Sequence, residues 1–132
     1  MKFASTRLLA KDVKVLAGFY EIVTGGKAEW LAPVFAEIVT PGAALAIGAE
    51  ETVALFSHGS SVPSANRTAI LESQVDDVDA EYERLKDKVE WIHPPKVMPW
   101  GNKAMQFRDP EGTAVSLYTP VTEDAKKRFA GR

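Results

Sequence analysis

The chain has 132 residues, 45% of them hydrophobic and 26% charged, with a net charge of −2; this is the composition of one globular domain or of two half-size modules. The absence of cysteine excludes disulfides, thiolate metal sites and a cysteine nucleophile, and a slightly acidic balance is wrong for gripping phosphate backbones. The most apolar stretch, around residues 31–40, holds Pro33 and Glu37, so no bilayer span is expected. No charged and then apolar leader opens the chain, and a cytoplasmic location without membrane or nucleic-acid partners is the expectation.

Residues 3–10 read as a strand that ends at Lys11-Asp12. Asp12 is a natural N-cap for a helix with apolar residues at Val13, Leu16, Tyr20 and Val23, one face of a 3.6-residue period. Val15, Phe19 and Ile22 widen that face, as a helix lying on a sheet requires, and Gly25-Gly26 stops it. Short strands are expected at residues 28–31, 34–40, 43–48 and 52–57, punctuated by Pro33, Pro41-Gly42 and Glu50-Glu51. Residues 58–66, rich in Ser, Gly and Pro, form a connector. The pattern then restarts with a strand at 67–75 and a helix behind Asp76-Asp77, carried by Val78, Tyr82, Leu85 and Val89. A brief strand at 90–92, a Pro-rich loop through Pro94, Pro95 and Pro99, and strands at 103–108 and 114–119 follow. Thr122-Glu123-Asp124 signals a short helix in the tail.

This repetition is the most informative feature of the chain. Asp12-Val13 matches Asp77-Val78, and Ala36 to Pro41 resembles Met105 to Pro110. Each half reads strand, helix, then strands, which points to a duplicated module: module one at 1–57, module two at 67–120 and a tail at 121–132.

The segment Pro99-Trp100-Gly101-Asn102 through Arg108-Asp109-Pro110-Glu111-Gly112 resembles the vicinal oxygen chelate superfamily of glyoxalases, bleomycin-resistance proteins and extradiol dioxygenases. Gln74 to Tyr82 and Asp12 to Tyr20 resemble the strand-to-helix junctions of its two modules. The resemblance implies an α+β fold of two βαβββ modules curled around a shared cavity, commonly as a homodimer. Asp109-Pro110-Glu111-Gly112 also has the chemistry of a hairpin turn, with Pro where φ is near −65° and Gly where φ turns positive. Metal-dependent members hold a divalent ion on the first and last strands of each module, positions that map to Ser5, Ala46, Ile70 and Ser116. Alanine and isoleucine have no donor and neutral serine is a weak one. The two imidazoles, His58 and His93, fall in a connector and beside Pro94. No metal and no other cofactor is therefore expected.

Strand alternation turns Leu8 and Ala10 toward the first helix, leaving Phe3, Ser5 and Arg7 on the implied cavity; by the same parity Ile70, Glu72 and Gln74 face it from the second module. Arg7 and Glu72 are equivalent positions with opposite charges. Either they pair across the modules and orient a polar ligand group, or they are unrelated solvated charges. On the last strand Ser116 and Tyr118 share the face opposite Val115 and Leu117, and Glu37, Gln106 and Arg108 are further polar candidates. Trp100, on a stiff Pro-Gly-flanked turn, either stacks on a planar ligand or covers an edge of the core or a dimer contact. The ligand-binding set is thus Arg7, Glu72, Trp100, Arg108, Ser116 and Tyr118, and no catalytic residue stands out.

Three functions fit. The first is a metal-free binder of a small organic molecule, similar to the bleomycin-resistance proteins. The second is an enzyme, either a metal-dependent lyase or isomerase of the lactoylglutathione lyase type, a dioxygenase, or a metal-free enzyme with Glu72 as general base. The third is an interaction module whose dimer surface is its function.

Overall fold

Asp12 and Asp77 start the two longer helices in the same way. Each is extended, at φ −128° and −145°, and each carboxylate accepts two backbone N–H groups, from Lys14 and Val15 and from Asp79 and Ala80. These caps satisfy donors that the first helical turn leaves orphaned. The computed structural model describes all 132 residues. Helix α1 spans Val13–Thr24 and ends at Gly25, whose φ of 73° is the left-handed cap that glycine adopts freely; α2 spans Val78–Leu85.

The chain divides into two compact units, Met1–Asn66 with Pro110–Gly112, and Arg67–Asp109 with Thr113–Arg132. In the first, β1 (Ser5–Ala10), β2 (Glu29–Ala32), β3 (Phe35–Val39) and β4 (Ala44–Ala49) form one sheet in the order β1-β4-β3-β2. In the second, β5 (Ile70–Gln74), β6 (Glu90–Val97), β7 (Asn102–Arg108) and β8 (Ala114–Pro120) are ordered β5-β8-β7-β6. In both sheets the first and last strands pair in parallel and the remaining pairs are antiparallel. The two βαβββ modules have one topology, which bears out the duplicated α+β reading.

Each helix covers one face of its own sheet. Leu16, Ala17, Tyr20 and Val23 of α1 are buried with Ala36, Ile38 and Ile47. Val78 and Leu85 of α2 are buried with Met105, Phe107, Val115 and Leu117, and the Tyr82, Trp91 and Phe107 rings stack in series at 5.0 and 5.6 Å. The face away from the helix is called here the far face of each sheet.

Two expectations are corrected. Residues 52–57 are not a strand: Glu50–Leu55 is a 3₁₀ turn in which the Thr52 hydroxyl donates to the Ala49 carbonyl at 2.7 Å. Both edges of β4 are already taken, by β1 and β3, so the chain leaving it cannot fold back to pair with it. The Pro-rich segment, in contrast, is strand: β6 runs through Pro94 and Pro95 with register shifts on either side of His93. It is an edge strand, where missing N–H donors can face solvent.

The Asp109–Thr113 turn closes as expected. Gly112 has φ 87°, Asp109 and Thr113 exchange backbone and side-chain hydrogen bonds at 2.9 Å, and Asp109 is buried. Glu111, which belongs to the first unit, accepts the Ser64 hydroxyl at 2.8 Å. The tail forms α3 (Glu123–Phe129), capped by Thr122 and packed on β8. No helix is long and apolar enough to cross a membrane.

Candidate functional site

Strand register decides which side chains share a face. In the second sheet Glu72 is level with Ser116 and Ser116 with Gln106, so these three form one polar row across β5, β8 and β7. The row on one side is Gln74, Tyr118 and Ala104; the row on the other is Ile70, Ala114 and Arg108. Buried Val115, Leu117 and Phe107 alternate with these residues, which places all three rows on the far face. Four of the six expected residues, Glu72, Arg108, Ser116 and Tyr118, therefore come together in one unit. Ser116 is only 3% exposed, set between longer neighbours.

The Tyr118 phenol is pushed above its ordinary value, mainly by burial and then by the negative charge of Glu72, while Arg132 and Arg128 pull weakly the other way. It stays a neutral hydrogen-bond donor through the physiological range. Its ring packs on Phe129 of α3 with centroids 5.4 Å apart, and α3 walls a hollow of about 300 Å³ lined also by Gln74, Asp76, Thr119 and Lys126. That volume is at the small end of ligand pockets.

Trp100 lies outside the rows, in the turn between β6 and β7. Its side chain is 59% exposed and its carbonyl accepts an Arg128 guanidinium N–H at 3.0 Å. The rest of the Pro-Trp-Gly motif has a packing role: Gly101, at φ +93°, sits where a Cβ would overlap the Thr122 hydroxyl and lie 2.9 Å from Ala125 Cβ. Sequence reasoning missed the next residue. Asn102 is buried and its side-chain oxygen has no hydrogen-bond partner, a costly arrangement away from water. Its signal was alternation alone: with Ala104, Gln106 and Arg108 it falls on the far face.

Arg7, the sixth residue, belongs to the first unit. Its row on that sheet's far face is Arg7, Ala46, Glu37 and Glu29. Two phenylalanine rings meet its guanidinium, Phe35 at 4.9 Å and Phe56 at 5.7 Å from the ring centroids. Phe56 was unforeseen there, because the segment before it was expected to run on as a strand. His93, expected in a loop, stands in β6 with its Nδ1 2.7 Å from the Pro94 carbonyl.

The divalent ion of metal-dependent relatives can be tested against these positions. Ser5 is level with Ala44 and Arg7 with Ala46; Ile70 is level with Ala114 and Glu72 with Ser116. In neither unit do three His, Asp or Glu side chains gather as a ligand set. An alanine, an isoleucine and two serines do not fit the ion.

The fold has many counterparts. A structure from Burkholderia phytofirmans PsJN, of the glyoxalase/bleomycin resistance protein/dioxygenase family, superposes with TM-score 0.80 at 17% identity, over 92% of this chain and 100% of that one. A glyoxalase/bleomycin resistance protein/dioxygenase from Nocardioides gives 0.76 at 22% identity, over 93% and 85%. Lactoylglutathione lyase from Agrobacterium tumefaciens gives 0.70 at 20% identity, over 89% and 92%. No curated protein matches the chain. The family profile of the Glyoxalase/Bleomycin resistance protein/Dioxygenase superfamily matches residues 2–117. With the duplicated βαβββ topology, that match over nearly the whole length establishes that the chain belongs to this superfamily.

Proposed function

We propose that the protein is a metal-free binder of a small organic molecule, held on the far face of the second sheet. The observation that carries this reading is the row Glu72, Ser116 and Gln106, flanked by Tyr118 and Arg108. Hydrogen-bonding side chains occupy the face on which relatives place metal ligands, and they supply both acceptors and donors. The hollow between Gln74 and α3 gives a ligand further purchase, and exposed Trp100 offers an aromatic plane.

Titration with the planar, uncharged dye 7-amino-4-methylcoumarin, whose amino N–H groups can donate to Glu72, tests the reading. Saturable binding is expected, weakened about fivefold in Glu72→Gln through loss of a charged acceptor. Dye affinity and thermal midpoint both unchanged in that variant would remove Glu72 from the site. The similarity to a lactoylglutathione lyase raises the alternative of a metal-dependent lyase or a dioxygenase, but the missing ligand set counts against it.

We also propose a cytoplasmic homodimer. A chain without cysteine has no need of an oxidising compartment, and Leu31, Val39 and Leu55 leave large apolar side chains 62%, 66% and 83% exposed.

A further inference from the structure

The first unit carries a second feature that points to a ligand. On its far face Arg7 is held by two rings, not by an acid. Both distances, 4.9 Å to Phe35 and 5.7 Å to Phe56, lie within the cation–π range of about 6 Å. Two local devices bring the rings there. Gly48, level with Leu9 and Phe35, leaves the middle strand bare, and the Phe35 ring lies across it, 3.5 Å from where a Gly48 Cβ would stand. The 3₁₀ turn after β4, tied back by Thr52, returns Phe56 toward the sheet. No carboxylate of this unit forms an ion pair with Arg7.

A guanidinium packed against rings still has its N–H edge for a two-pronged acceptor, which is the geometry that carboxylate and phosphate oxygens fit. The surroundings choose between those two. Phe56 is 76% exposed beside the charge, an apolar surface that a bare inorganic anion would leave wet. Along the same row, past buried Ala46, stand Glu37 and then Glu29, the nearer about 10 Å from Arg7 at two strand spacings. Those carboxylates disfavour a ligand of nearly two negative charges, such as a phosphomonoester, more than a single carboxylate.

We propose that Arg7 is an oxyanion receptor and that the first unit binds a small amphiphilic monocarboxylate. Its carboxylate lies on the guanidinium edge and its apolar body against Leu9, Phe35 and Phe56. This inference stands apart from the reading of the second sheet, which the uncharged dye reports separately.

Hydrocinnamate, a carboxylate with a phenyl body, is the probe. Titrated into isotopically labelled protein, it is expected to shift the Arg7 Nε–H resonance to saturation. Its uncharged amide should bind about tenfold or more weakly. Arg7→Lys, which keeps the charge but not the planar fork, should lose about tenfold in affinity, and Phe56→Leu, which removes a ring far from the core, about threefold. An Arg7 resonance unmoved by hydrocinnamate, or equal affinity for the amide, would overturn the proposal. Equal binding by Arg7→Lys and Phe56→Leu would overturn the clamp. Displacement of hydrocinnamate by an equal concentration of inorganic phosphate would overturn the carboxylate assignment in favour of a phosphate ligand.

Discussion

Gly101→Ala is expected to destabilise the second unit by about 3 kcal/mol, far beyond an ordinary surface change. Part of the loss is backbone: at φ +93° an alanine is strained by about 1–2 kcal/mol. The rest is steric. The new methyl would overlap the Thr122 hydroxyl and press on Ala125 at 2.9 Å. Neither neighbour can give way without cost. The Thr122 oxygen caps α3 by accepting the Ala125 N–H at 3.2 Å, and Ala125 is fully buried. The Gly101 carbonyl also accepts the N–H groups of Val121 and Thr122 at 2.9 and 3.3 Å. Relief would come by lifting α3, which also strips Phe129 from Tyr118 and Arg128 from the Trp100 carbonyl. Urea unfolding measures the loss, and tryptophan emission should shift in the native baseline as the Trp100 turn loosens. An unchanged unfolding midpoint would show that α3 is not seated on Gly101.

Phe107→Ala should cost about 4 kcal/mol, the larger of the two effects. Phe107 is the largest of the fully buried side chains. It stands mid-strand in β7, level with Val115 and Trp91, and meets the Trp91 ring edge to face at 78°. Truncation leaves a void between sheet and α2 that rigid strand neighbours cannot close, and it breaks the stack to Tyr82. Set against a typical total of about 5–15 kcal/mol, that threatens folding itself, so Phe107→Leu is the useful companion, at about 1.5 kcal/mol. Equal stability of the alanine variant and the parent would mean that the aromatic series is not the core of this unit.

The parts of the fold that were readable in the sequence are those set by neighbours in the chain. Asp12 and Asp77 announce helix starts because a cap acts over three residues, and Gly25 and Gly112 mark turns because positive φ is a local demand. The face assignment of Glu72, Ser116 and Tyr118 followed from alternation, which the ladder of β5, β8 and β7 preserves without a bulge. What failed depends on distant partners. Pro94 and Pro95 forbid an interior strand, and only the sheet order shows that β6 is an edge. Residues 52–57 have the apolar content of a strand, and only the structure shows that β4 has no free edge for them and that a 3₁₀ turn forms instead. Arg7 and Glu72 matched by offset along the chain, but no local pattern tells that Phe35 and Phe56 will meet Arg7. The duplicated halves allowed the positions of the missing metal ligands to be found at all, since each half checks the register of the other.

Whether the protein works without a metal is decided by calorimetric titration of the untagged protein with Ni²⁺, Zn²⁺ and Mn²⁺, with metal content of the purified sample measured alongside. No stoichiometric metal is expected in the purified protein, and no saturable heat or thermal shift with any of the three ions. Tight binding at one ion per chain would contradict the metal-free reading, and would send the search for ligands to Glu37, Glu72 and the two histidines.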